Sequence, residues 1–395
     1  MLRLAGLVAQ ATLILLALYN AVTALWGWPD RDPAGPGSGR RRLRVVVPAH
    51  DEAKVIASLL GDLARVDYPD DLRDVWVLAD RSRDETVKMA RARGVEVAER
   101  VEGEGGKGAA LAWYLENHPL DEDEALVVFD ADNRVPPEAL RRIADEIDAG
   151  HQALQCYLDV TEAKGSLLAE ASALSYWAGN RMVQLARSNL GWSADLGGTG
   201  MAITSRAIAD AGGFATSLTE DQDLGVRLLL AGHRVEWVHD VRIADEKPRS
   251  LQAAVRQRAR WMAGKRAARR RHLGGLLGGG LSPDRLDMAI RLVQPGRSFV
   301  ALVSGLLTVG AALTQSEWLL PWQVWASATA VQVLQPIPFL AREGVPGRQL
   351  VRYPLLALLA ALWLPIRVVS TRVGGWYHTP HRGTTPSDDE PGPAP

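Results

Sequence analysis

Three short stretches of this chain concentrate side chains that could do chemistry: Asp130-Ala131-Asp132, Thr219-Glu220-Asp221, and Gln257 with Arg260 and Trp261. Carboxylates in such runs serve two purposes. They hold hard divalent cations through oxygen, and one aimed at a hydroxyl can take its proton. An indole offers a flat face for stacking on a ring, while Gln257 one turn away and the adjacent Arg260 orient hydroxyls or phosphates. Further acids stand at His50-Asp51-Glu52 and at Asp80, and Lys107 puts one cation into the Gly-rich run 105–108. Taken singly, each acid is explained as well by a helix cap or a solvated turn.

The elements that must carry these residues change that balance. Leu43 to Val47 before Pro48, Val75 to Ala79, Val95 to Ala98 and Ala125 to Phe129 read as strands, the first, second and fourth ending in acids. Strands buried on both faces alternate with helical stretches in a parallel α/β sheet. In such sheets ligands gather beyond the carboxyl ends of the strands. Ser82 and Glu85 have capping-box spacing for a helix running to Gly94, and Pro136 and Pro137 suit the first turn of another. The acidic run at 219–221 opens a helix, where its charge also suits the macrodipole.

The polar block is flanked by apolar segments. Leu4 to Trp26 holds no charge over 23 positions, long enough to span a bilayer core. A cleaved signal peptide is disfavoured by that length. Ser298 to Ser316 and Trp318 to Ala341 are uncharged over 19 and 24 positions and predict a membrane hairpin. Tyr353 to Ile366 is uncharged over 14 and fits an interfacial or third C-terminal membrane helix. The arginines at 31, 40, 41, 42 and 44 follow the first span, which predicts a multi-pass protein of the cell membrane with its polar domain cytoplasmic.

The predicted division is therefore a membrane helix over 1–28, a basic linker over 29–42 and a cytoplasmic catalytic domain over 43–265. A basic interfacial segment follows over 266–297, meeting membrane lipids through Arg266, Arg269, Arg270 and Arg271. The hairpin over 298–341, a segment over 350–372 and a largely disordered tail over 373–395 complete it. A formal net charge of -1 argues against nucleic acid as a partner. Cys156, the single cysteine, reads as an inert buried thiol.

The order PAHDE (48–52), LADRSRDET (78–86), GGKGAAL (105–111), FDADN (129–133), GGTGMAI (197–203), LTEDQDL (218–224) and QRARW (257–261) resembles the family 2 glycosyltransferases over roughly residues 43–265. It is most similar to their membrane-bound branch, which includes cellulose, chitin, hyaluronan and poly-N-acetylglucosamine synthases. The resemblance implies a GT-A-like nucleotide-sugar-binding domain and an inverting transfer from a UDP-sugar to a saccharide or lipid-linked acceptor. It implies donor contacts from Pro48, Ala49, Glu52, Asp80, Lys107, Asp130 and Asp132, with Asp132 holding Mg2+ or Mn2+. Asp221 becomes the catalytic base, and Gly198, Thr199, Gln257, Arg260 and Trp261 line the acceptor side. Trp376 to His381 resembles a gating loop of some membrane relatives. Ala79 and Arg81 depart from the second motif, where relatives carry an acid and a small polar residue. The short membrane portion keeps single transfer to a lipid open beside polymer synthesis, which would call for an oligomer or an export partner. A non-catalytic membrane scaffold is disfavoured by the intact acids. A transporter is disfavoured by the large polar domain and by spans without charge.

Overall fold

A computed structural model describes residues 1–161, 167–245, 251–280 and 282–356. Its strands are β1 (Arg42–Ala49), β2 (Arg73–Asp80), β3 (Glu96–Arg100), β4 (Glu124–Val128), β5 (Ala153–Val160), β6 (Met201–Thr204) and β7 (Val235–Asp245). They form one sheet in the order β3-β2-β1-β4-β6-β5-β7. β6 runs antiparallel to β4 and β5, and every other pairing is parallel. The expected α/β, mostly parallel sheet is present, and the four strands read from the sequence form its contiguous first half.

Alternation across the pleat explains the apolar strands. Val45 and Val47 enter a core with Ile56, Leu59 and Ile143 on one face, while Val46 enters a second core with Leu111, Tyr114 and Leu228 on the other. Each of these valines is fully buried, a contribution of roughly 1.5–3 kcal/mol. Arg44 interrupts the run, and its guanidinium leaves the core to meet Glu124 at 2.9 Å.

The helices are α1 (Leu2–Ala24), α2 (Ile56–Leu63), α3 (Thr86–Arg91), α4 (Lys107–Asn117), α5 (Ala139–Asp148), α6 (Leu167–Gly179), α7 (Ala186–Asn189) and α8 (Ser205–Asp210). They continue with α9 (Glu220–Leu230), α10 (Leu251–Gly278), α11 (Pro283–Val293), α12 (Arg297–Thr314), α13 (Trp322–Leu334), α14 (Pro336–Arg342) and α15 (Gly347–Leu356). A π-helical turn, Asn180–Leu185, joins α6 to α7. Among the described residues three segments are long and apolar enough to cross a membrane: Arg3–Gly27, Arg297–Thr314 and Trp322–Arg342. The first and third are tied together by side-chain amides, Gln332 and Gln335 donating to the carbonyls of Ala17 and Ala21 at 3.1 and 2.8 Å.

Several local expectations are corrected. The capping box does not form, because Ser82 Oγ donates to the Ala49 carbonyl at 3.3 Å. Asp84 instead accepts from Thr86 N at 2.9 Å and starts α3 at Thr86. Pro136 and Pro137 stand ahead of α5 in a turn closed by Ala139 N on the Pro136 carbonyl. Arg271, expected to face lipid, pairs with Asp223 at 2.9 Å, so tertiary pairing has claimed its charge. The arginines of the basic linker are drawn onto the domain in the same way, Arg31 to Glu236 and Arg41 to Asp148. Cys156 is fully buried, and burial raises its thiol pKa well above the ordinary range.

Candidate active site

The cleft opens where the parallel strands end. After β1 the chain turns through Asp51, whose φ of 56° is the left-handed conformation. The turn is held because Asp51 Oδ1 accepts from Arg83 N and Asp84 N at 2.7 and 3.2 Å, locking the loops after β1 and β2 together. Glu52 is anchored by its own N–H on Thr86 Oγ1 at 2.9 Å. Asp80, the last residue of β2, meets Arg100 at 2.8 Å and Arg81 at 3.2 Å, so both its oxygens face guanidinium groups.

Lys107 is the first residue of α4, and its Nζ reaches the Asp130 carboxylate and the Gly198 carbonyl, the latter at 2.7 Å. Burial works against this charge. Asp130, Glu220 and Asp221 outweigh it and hold the lysine pKa above its usual value. The turn carrying Asp130 and Asp132 is fastened from behind. Asp130 N donates to Asn133 Oδ1 at 3.1 Å and to Thr199 Oγ1 at 2.9 Å, and the Thr199 hydroxyl donates to Asn133.

Asp221 stands in the first turn of α9, where its Oδ1 accepts from Gln222 N at 2.8 Å. Burial pushes its pKa up to about 7, helped by Glu220 and opposed by the Gln222 N–H, Lys107 and Arg260. A nearby Gly198, at φ 82°, brings backbone close enough that a Cβ there would lie 3.4 Å from Asp221 Oδ2. The three carboxylates of this helix separate by environment. Glu220 packs on Gly108 of α4, where a Cβ would come within 2.7 Å of its own Cβ. Asp223 is turned away, bonded to Arg227 at 2.8 Å, Arg271 at 2.9 Å and His272 at 2.8 Å.

α10 closes the cleft from the side of α9. Arg260 Nη1 donates to the Leu218 carbonyl at 3.3 Å just ahead of α9. A Cβ at Gly264 would fall 2.1 Å from Thr219 Oγ1, so only glycine lets the two helices meet there. Pro48, Ala49, Glu52 and Asp80 from the first two strand ends line a single cleft with Lys107, Asp130 and Asp132. Gly198, Thr199, Asp221, Gln257, Arg260 and Trp261 line the same cleft, which encloses about 1300 Å3 including its open mouth.

Two residues that hold this geometry were not singled out from the sequence. Asn133 carries the turn after β4; its signal was an Asn three positions after Asp130, the spacing of a side chain bonding back to the backbone. Gln155, fully buried in β5, accepts from Gly197 N at 2.7 Å and donates to the Thr199 carbonyl at 2.8 Å. A lone amide inside the apolar run Ala153 to Leu158 was its signal. Trp376 to His381 lies outside the described residues, as do the segment beyond 356 and the C-terminal tail.

Among the described residues no group of three or more His, Cys, Asp or Glu side chains is arranged to hold a metal by itself. The donors in the cleft are hard carboxylate oxygens. That set fits a cation such as Mg2+ or Mn2+ that takes one or two protein carboxylates and completes its shell with phosphate and water.

Residues 40–264 match the family model described as Glycosyltransferase like family 2. The chain is 29% identical over 233 residues to a β-monoglucosyldiacylglycerol synthase of Trichormus variabilis, covering 56% of this chain and 48% of that one. It is 28% identical over 247 residues to probable glucomannan 4-β-mannosyltransferase 14 of Arabidopsis thaliana, covering 58% and 46%. The chain thus spans about half the length of the curated relatives it matches. In three dimensions it resembles the mannosyltransferase PcManGT of Pyrobaculum calidifontis, solved with GDP-Man and Mn2+, at a TM-score of 0.57 and 21% identity over 91% of this chain and 98% of that one. At that identity the likeness speaks for the GT-A-like fold.

Proposed function

The chain belongs to the family 2 glycosyltransferases, which use nucleotide sugars, and from that premise we propose that it moves a hexosyl or N-acetylhexosaminyl group from a UDP-sugar to a lipid or saccharide acceptor at the membrane, inverting the anomeric centre. The observation that carries this reading is convergence. Residues from seven separate stretches line one cleft, Asp221, Lys107 and Asp130 among them.

The chemistry follows from these groups. Asp221 takes the proton of the acceptor hydroxyl as that oxygen bonds to the anomeric carbon. The bond from that carbon to the diphosphate oxygen breaks, and its electron pair leaves with the nucleoside diphosphate. Lys107, buried and poised against Asp130, is the cation able to exchange that partner for the diphosphate. Trp261 offers its ring to the acceptor sugar, or to the apolar part of a lipid, while Gln257 and Arg260 orient hydroxyls or phosphate oxygens. Pro48, Ala49, Glu52 and Asp80 form the base and ribose pocket, and Gly198 and Thr199 the floor on the acceptor side. A divalent cation held by Asp132, when bound, would neutralise charge on the leaving diphosphate. A single displacement from an α-linked donor yields a β-linkage.

The polar domain is assigned to the cytoplasm and the three apolar segments to the membrane, a multi-pass arrangement. Membership of the polymer-synthase branch and transfer to a lipid differ only in the acceptor. The test is nucleoside diphosphate release by detergent-purified protein with Mn2+ or Mg2+, across uridine and guanosine donors, with diacylglycerol or an oligosaccharide as acceptor. Release from a uridine donor that Asp221→Asn abolishes, and that Asp132→Ala makes insensitive to metal, is expected. Undiminished release by Asp221→Asn would reject the assigned base.

A further inference from the structure

A second cavity lies behind the reaction cleft, enclosing about 1030 Å3 including its mouth. The partition between the two is thin in sequence. Asp221 and Gly197 line the cleft, whereas their neighbours Gln222 and Leu196 line the cavity. Its remaining walls come from Asn20 and Thr23 of α1, Met288 and Leu292 of α11, and the first residue of α12, Arg297. These are the ends of two apolar helices that adjoin the sheet domain, so the cavity lies where a membrane interface meets the protein.

Its lining is amphiphilic. Met182, Val183, Leu196, Val226, Met288 and Leu292 supply an apolar side. Four cations also line it, two of them neutralised: Arg187 by Asp287 at 3.0 Å, and Arg291 by Asp195 and Asp287. Arg297 differs. Its guanidinium reaches Gln335 Oε1 at 2.7 Å and the carbonyls of Gln332 and Val331, and meets no carboxylate among the described residues. Lys265 Nζ, nearby in the same lining, donates to the Gln294 carbonyl at 3.0 Å. A guanidinium among neutral partners at the end of an apolar helix is costly unless an anion joins it. Gln222 Oε1 is a buried acceptor with no donor among the described residues, so the cavity also asks for a hydroxyl or amine.

We infer that this cavity binds an anionic glycerophospholipid, its phosphate at Arg297, a headgroup hydroxyl at Gln222 and acyl chain along the apolar side. The inference rests on α1 and α12 lying in the membrane, as proposed above. A basic pocket between helices on the cytoplasmic side of a membrane is suited to such a headgroup. Because Gln222 and Gly225 belong to the helix that carries Asp221, the bound lipid braces α9 from behind without entering the reaction cleft.

Gly225 gives a direct test, since a Cβ there meets nothing closer than 3.9 Å and a leucine would project into the cavity. The full chain in an uncharged detergent is titrated with dioleoylphosphatidylglycerol, with dioleoylglycerol and with inorganic phosphate, reading retained lipid by native mass spectrometry and the shift in thermal unfolding. The expected result is one phosphatidylglycerol per chain with a raised unfolding temperature, an apparent Kd about tenfold weaker in Arg297→Gln, and no retained lipid in Gly225→Leu. Arg297→Gln alone decides if Gly225→Leu does not fold. Equal retention by wild type and Arg297→Gln would overturn the inference. So would equal binding of dioleoylglycerol, which lacks the charge, or equal protection by inorganic phosphate, which lacks the chains. None of these readouts involves sugar transfer, so the result stands apart from that of the transferase assay.

Discussion

Asp221, the base proposed above, is given its raised pKa by the same burial that makes it costly to fold. With its pKa near 7, surrounded by Glu220, Lys107 and Arg260, it is half ionised at neutral pH. Turnover should therefore rise with pH along a limb centred near 7 and fall about tenfold for each unit below it. A kcat/KM profile in saturating metal checks this, and a flat profile from pH 5 to 8 would remove Asp221 from that role. Linkage gives a second expectation. Since the folded pKa lies above the unfolded value of 3.8, the contribution of this group is fully present below pH 4 and is lost as pH rises through 7. Asp221→Asn should thus be more stable than wild type above pH 7 while losing turnover, an opposition that thermal unfolding at pH 5 and pH 8 would reveal. The acids that line the cleft were legible in the sequence because the chemistry proposed for them needs particular residue types. Asn133 and Gln155 were less so: they serve by fastening backbone, and many residue types could do that in another fold.

The elements show where sequence pattern suffices and where contact overrides it. β1, β2 and β4 are buried on both faces, so their apolar character is unmistakable. β7 was not read, because it is the strand at one edge of the sheet and polar His239, Asp240 and Arg242 interrupt its apolar residues. The helix at 86 was placed too early because Ser82 is diverted to β1 and leaves capping to Asp84. Between α9 and α10 the deciding residue is Gly264, invisible as a pattern because its role is to be absent from Thr219's path. Gly264→Val should separate the two helices at Thr219 and cost roughly 3 kcal/mol or more through overpacking. A fall in unfolding temperature, accompanied by loss of donor turnover, is expected. Wild-type stability in that variant would show that α10 is not seated against α9 as described.

At the scale of the whole molecule, one carboxylate gathers the far ends of the chain. Glu343, just after α14, is almost fully buried and meets Arg181, Arg242 at 3.0 Å, His239 at 3.2 Å and the Tyr157 hydroxyl at 2.9 Å. Arg181 in turn holds Asp30 at 2.6 Å, which also receives Arg342 at 2.7 Å. Burial alone would raise the Glu343 pKa, but His239 and Arg181 bring it down to about 2. Its stabilisation is therefore present above pH 4.5 and lost as pH falls through 2. Glu343→Ala should leave these cations unpaired and cost about 3–5 kcal/mol, read as a lower unfolding temperature at neutral pH. No loss would mean that the apolar helices and the sheet are joined elsewhere. The order of the sheet also has a consequence for how the protein is made. β1 to β4 are contiguous in the chain and in space, and they emerge from the ribosome directly behind α1, before any residue of β6, α9 or α10 exists. A nascent chain can complete this half of the sheet while α1 is already made. Asp221 arrives only afterwards, so under the proposed mechanism no half-made chain can spend a sugar donor.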